Sequence, residues 1–177
     1  MGRSDIDTTG YDSIRARVLT GDLIAFEGSG LLSWIIQLRT KSRYSHVAMC
    51  VRLTEGADRV FLLHAVWGLG VVLIPASRYL SGYRGQAEWV ALKPSMIAAK
   101  PTLRADLLRE ALLELGKPYD WRGVLSFVLP WIKQSNKAFY CSELAADLRR
   151  RHGLGTDIQL SPAQIVAQPE NELPVGL

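Results

Sequence analysis

Cysteine is scarce in this chain, two among 177 residues. That is too few for a disulfide framework at this length, so either thiol is open to a chemical role. Histidine is nearly as rare, at three, and each can be weighed singly. No sign of charge dominates: 21 Lys plus Arg face 17 Asp plus Glu, a net charge of +4. This allows an anionic partner such as a membrane surface or cell wall, and falls short of arguing for nucleic acid. Long apolar runs are also missing. The longest, Gly123 to Ile132, contains Pro130 and is far too short to span a bilayer, so no transmembrane segment is expected. The start, Met1-Gly2-Arg3-Ser4-Asp5, lacks the apolar centre of a signal peptide. Ile6 stands where a myristoylation signal wants Ser or Thr. The expected location is cytoplasmic.

What is present suffices for one sizeable core. Hydrophobic residues make up 48% of the chain, which excludes a disordered chain, and the length favours one domain. Residues 1–19 read as a loose arm with a short helical piece around Ser13 to Leu19, and residues 168–177 as a mobile, Pro-rich tail. Between them, the domain is expected over 20–167. After the Thr20-Gly21-Asp22 turn, Leu23 to Phe26 reads as a buried strand, and Leu31 to Leu38 has apolar residues at helical spacing. Ser45 to Leu53 and Arg59 to Val66 form a hairpin, and Gly70 to Ile74 and Glu88 to Leu92 are further strands. Helices are expected at Leu103 to Leu115, Tyr119 to Phe127 and Phe139 to His152, with a last short one N-capped by Ser161 with Pro162 at its first position.

Cys141 falls at the N-terminus of a predicted helix. Unpaired N–H groups there stabilise a thiolate and could hold an oxyanion; a buried structural thiol is the plain alternative. His46 starts the first hairpin strand, and His64 sits inside the apolar run Val60 to Val66 of the second. A three-residue loop at Thr54 to Gly56 sets them directly opposite. A five-residue loop at Thr54 to Asp58 makes them diagonal neighbours about 7–8 Å apart. Both registers put the two rings on one face, whereas a one-residue slip would separate them. Two histidines on one sheet face and a thiol at a helix start are the parts of a cysteine hydrolase. The thiolate attacks, one imidazole carries the proton, and a second polar group orients that imidazole.

Cys50, four residues beyond His46 and about 13 Å along the strand, reads as a packed thiol. His152 reads as solvated or paired with the helix dipole, and Glu143 as support for a first helical turn. Zinc on His46, Cys50 and His64 is the chemical rival, but the chain has no paired-ligand motif. Neither a metal nor a cofactor is expected.

Five blocks occur in one order: Thr20-Gly21-Asp22-Leu23-Ile24, Tyr44-Ser45-His46-Val47-Ala48, Gly116-Lys117-Pro118-Tyr119-Asp120, Phe139-Tyr140-Cys141-Ser142-Glu143-Leu144 and Leu160-Ser161-Pro162. Together they resemble the circularly permuted, YiiX-like and YebB-like branch of the NlpC/P60 superfamily of papain-like cysteine hydrolases, over roughly residues 20–166. The resemblance implies an α+β fold with a small, mainly antiparallel sheet packed against helices. It implies Cys141 as nucleophile, His46 as its base, and a third polar residue on the next strand. That residue is commonly Glu in YiiX-like members and His in lecithin:retinol acyltransferase-like relatives; here it is His64. Tyr44, Ser45 and Tyr140, beside the base and the nucleophile, are the expected substrate contacts. Asp120 is either a helix N-cap or a further contact. The implied activity is cleavage of an amide or ester carbonyl, in a cell-wall peptide or a lipid acyl group, through an acyl-thioester on Cys141. A thiol acyltransferase acting on lipids and a non-catalytic binding module are the alternatives. The apolar Val124 to Ile132 segment suits either a lipid-facing site with membrane-surface contact or a core helix.

Overall fold

The computed structural model describes residues 9–28, 31–56, 58–66, 68–118, 141–155, 157 and 160–177, with the backbone alone at 9, 31, 32, 35, 39 and 141. Six strands form one sheet: β1 (Leu23–Glu27), β2 (His46–Leu53), β3 (Arg59–Val66), β4 (Gly70–Pro75), β5 (Gln86–Val90) and β6 (Val175–Gly176), in the order β4-β3-β2-β1-β5-β6. Every neighbouring pair is antiparallel. The described helices are α1 (Thr9–Ile14), α2 (Leu31–Thr40), α3 (Ala76–Ser81), α4 (Pro94–Ala99), α5 (Leu103–Leu113), α6 (Cys141–Arg151) and α7 (Pro162–Val166). The fold is α+β, as the sequence suggested.

The central strands are apolar at consecutive positions because both faces of the sheet are covered. On one face Leu23, Ala25, Val47, Met49, Val51, Leu63 and Ala65 meet Leu103, Leu107 and Ala111 of α5 and Leu144, Ala145 and Leu148 of α6. The α5 residues recur every four positions, one stripe of a helix. Each fully buried Leu in these stripes stabilises by about 1.5–3 kcal/mol relative to exposure. On the other face Ile24, Phe26, Ala48, Cys50 and Leu62 pack with Tyr11 and Ile14 of α1 and Ala76 of α3.

The strand registers define two ends of the sheet. One carries Glu27, His46, Val66, Gly70 and Gln86, and the other Leu23, Leu53, Arg59, Pro75 and Val90. At the second end Asp22, almost wholly buried, accepts from Leu19 N, Trp89 Nε1, Leu92 N and Arg104 Nη1. Those bonds satisfy a carboxylate that burial would otherwise penalise. Strand β5 runs from Gln86 to Val90, two residues earlier than expected, and Leu92 beyond it bridges to Asn171 instead.

Both chain ends correct the sequence reading. The helical turn lies at Thr9–Ile14, ahead of the expected Ser13 to Leu19, and Tyr11, Ile14 and Val18 are buried against the sheet. They join Ile24, Phe26 and Cys50 in the core on that face. The segment after Gln168 is also fastened. Buried Asn171 accepts from Arg149 Nη1 and donates to the carbonyls of Ile165 and Val166, and β6 pairs with β5. Helices α3 and α4 were not foreseen, whereas α7 has the expected Ser161 cap, completed as a capping box by Gln164. The helix expected at Tyr119 to Phe127 lies outside the described residues.

Candidate functional site

The β2–β3 pairing sets Met49 opposite Leu63 and Leu53 opposite Arg59, the register of the longer loop. His46 and His64 are therefore diagonal neighbours on one face, and their side chains close the gap. His46 Nε2 lies 2.9 Å from His64 Nδ1, with ring centroids 5.2 Å apart. One ring donates and the other accepts.

The surroundings of the pair are aromatic. His46 lies 5.5 Å from Phe26, ring to ring. His64, fully buried, meets Tyr79 of α3 edge to face at 4.8 Å. Phe26 in turn touches Tyr79 and Tyr83. An apolar cage of this kind disfavours a charged imidazole. Burial, then repulsion from His64, lowers the pKa of His46 to about 3, and burial lowers that of His64 to about 4. At neutral pH the pair is therefore uncharged. The Nε2 atom of His64 is buried and has no hydrogen-bond partner among the described residues. Phe26, Tyr79 and Tyr83 had not been singled out from the sequence, and only the pairing of β1 and the return of α3 bring them here.

Of the expected substrate contacts, Ser45 is buried. Its Oγ accepts from Gly28 N at 2.9 Å and donates to Phe26 O at 3.4 Å, fastening the ends of β1 and β2. Tyr44 bonds through Oη to Glu88, and Arg43 Nη2 donates to Tyr44 Oη at 3.1 Å and lies 2.7 Å from each Glu88 oxygen. Burial, then the Glu88 hydrogen bond, raises the Tyr44 pKa. Both side chains are thus tied to the fold at the end of the sheet where His46 begins. Tyr140 and Asp120 lie outside the described residues.

Cys141 is the first residue of α6. Ser142, next to it, donates to Leu160 O. At the helix's other end the buried Arg149 guanidinium donates to Gly21 O at 2.7 Å, at the sheet end remote from His46. Eight residues separate Cys141 from that anchor, about 12 Å along the axis. The helix packs through Leu144, Ala145 and Leu148 on the α5 face of the sheet. The histidines occupy the opposite face, with Phe26 and Tyr79. Side-chain packing on the sheet therefore joins His46 to His64, and leaves α6 to approach from the other side.

Cys50 is fully buried. Burial, then the Asp22 carboxylate, pushes its thiol pKa well up, as befits a packed thiol. His152 is not solvated: its side chain is 12% exposed, and its Nδ1 lies 2.9 Å from Lys100 Nζ. Among the described residues no group of three or more His, Cys, Asp or Glu converges as metal ligands would. No described helix is long and apolar enough to cross a membrane.

No family model matches the chain, and no curated protein matches it. Among solved structures it is similar to the crystal structure of metalloprotein YiiX from Escherichia coli O157:H7, with a TM-score of 0.68 and 20% sequence identity. The alignment covers 89% of this chain and 96% of that one. The two share a fold.

Proposed function

We propose that this YiiX-like fold is a permuted papain-like scaffold. On it the chain acts as a cysteine hydrolase at an amide or ester carbonyl, through an acyl-thioester on Cys141. The observation that carries the reading is the 2.9 Å bond between His46 Nε2 and His64 Nδ1. In the working tautomer His46 Nε2–H donates to His64 Nδ1, which leaves His46 Nδ1 unprotonated and free to act as base. Nδ1 takes the thiol proton, and the thiolate attacks the carbonyl carbon. The backbone N–H of Cys141, one of the unpaired donors of a helix start, steadies the oxyanion. His46 then returns the proton to the leaving amine or alcohol, and water releases the acyl group by the same steps. Since α6 and the histidines lie on opposite faces, thiol and base meet only around the end of the sheet where β2 begins. Both residues are the first of their elements, which suits such a meeting.

The opposed faces also favour a second reading, a binding module in which the histidine pair serves the fold alone. YiiX is described as a metalloprotein. Here the pair supplies two nitrogen donors, no third ligand joins them among the described residues, and the proposed steps run through no metal. The deciding experiment is alkylation at mildly acidic pH followed by peptide mass mapping. A thiol beside imidazole at a helix start reacts ahead of buried Cys50. Acylation by an activated soluble ester should then appear on Cys141 and vanish in Cys141→Ser. Equal labelling of the two thiols, or an inert Cys141, would favour the binding module.

A further inference from the structure

Helix α2 carries large apolar side chains on its exposed side. Its half-buried side chains include Ser33, Ile36 and Gln37, and Gln37 Nε2 donates to Gly28 O at 3.1 Å and Arg43 O at 2.8 Å. Polar residues thus hold the helix to the end of the sheet. Its outward side carries Trp34, 57% exposed, and Leu38, 63% exposed, one turn apart. A helix on a water-facing surface shows the reverse pattern. Leu69, 67% exposed, projects from the turn between β3 and β4, at the same end of the sheet as His46. Exposed charge at this end is cationic, on Lys41, Arg43 and Arg84, and the carboxylates of Glu27 and Glu88 both pair with Arg43. The hairpin loop at the far end differs, exposing Glu55, Asp58 and Arg59 together.

We propose that the His46 end of the molecule seats on an anionic lipid bilayer, with Trp34, Leu38 and Leu69 entering the headgroup boundary and Lys41 and Arg84 meeting lipid phosphates. Apolar side chains that come from a helix and a separate turn, rather than from one groove, fit a fluid planar surface better than a shaped protein partner. Tryptophan with flanking cations is the composition such a boundary selects.

The test is sedimentation of the full chain with vesicles of phosphatidylglycerol and phosphatidylcholine, against vesicles of phosphatidylcholine alone. The wild type should bind the anionic vesicles, and added salt should weaken that binding. Trp34→Ser with Leu38→Ser, checked for folding by circular dichroism, should lower partitioning about tenfold or more. Lys41→Glu with Arg84→Glu should remove the preference for anionic lipid while leaving both apolar residues in place. Failure of the wild type to bind either vesicle would overturn the proposal, as would unchanged partitioning of the Trp34/Leu38 variant. So would self-association without vesicles that the same variant abolishes, since the surface would then join copies of the chain. Acylation of Cys141 by a soluble ester is measured separately without lipid, so a failed surface and a failed nucleophile give different results.

Discussion

The histidine cage makes stability fall steeply in mild acid. An unfolded histidine titrates near 6.5, whereas the folded His46 and His64 are lowered to about 3 and about 4, chiefly by burial. Above pH 6.5 both are neutral in both states and contribute no pH dependence. As pH falls below 6.5 the unfolded chain takes up protons that the folded chain refuses, so stability is lost with acid. Each such group contributes a slope of about 1.4 kcal/mol per pH unit. Between pH 6.5 and 5 the pair would therefore cost on the order of 4 kcal/mol, a large share of the stability of an ordinary domain. The carboxylates Asp58 and Asp106, lowered by their Arg52 and Thr102 hydrogen bonds, titrate below this window. The assay is urea unfolding at a series of pH values through the window, with the slope on urea checked for constancy. His64→Leu removes one titrating ring and fills its space with an apolar side chain, so it should lose about half of the pH dependence. A stability independent of pH over this range, or an unaltered profile in His64→Leu, would refute the buried neutral pair.

His64 is also assigned a positioning task, which a carboxylate can perform and a methyl group cannot. In single-turnover acylation by an activated ester, His64→Glu should exceed His64→Ala, and His64→Ala should exceed Cys141→Ala; equal rates for wild type and His64→Ala would remove His64 from the site. His46→Ala should slow alkylation of Cys141 near neutral pH while circular dichroism shows the fold intact, and unchanged reactivity would point to another base. Ser161→Ala removes one half of the capping box and should cost about 1 kcal/mol in urea unfolding. Asn171→Ala strips partners from Arg149 and from the Ile165 and Val166 carbonyls, and should cost on the order of 3 kcal/mol; a neutral result would mean that the C-terminal segment is only loosely held.

The hairpin could be read from the sequence because its order is local. The alternation of Val47, Met49 and Val51 with Ala48 and Cys50 marks two buried faces, and the strand limits found for β3 coincide with those expected. The loop length left two registers open, and the chain adopts the longer loop, with Gly56 and Asp58 at positive φ. The chain ends were harder to read. Tyr11 lies in a six-residue helix and Asn171 in a polar stretch, and neither segment shows in its own sequence the distant partner that it packs against. For Asn171 that partner is the buried guanidinium of Arg149, which lies in an arginine run that looks solvated on paper. Helix α3 escaped notice for a related reason. Six residues carry too little periodicity to be seen, and Tyr79 acquires its place from His64 and Phe26.

The site divides along the same line. His46 and His64 belong to consecutive strands, so one register fixes their distance, and the bond between them needs no further element. Cys141 reaches the sheet from much later in the chain and on the other face. Its relation to His46 depends on how α6 crosses β2, which strand parity does not specify. The helix is held at its start by the Ser142 bond to Leu160 O, and farther along by its leucines in the core with Val47 and Met49 and by Arg149 on Gly21. A thiol placed in this way can be shifted without disturbing the histidine pair. Weakening the Arg149 anchor should therefore alter the reactivity of Cys141 and leave the acid dependence of stability, which reports on His46 and His64, in place.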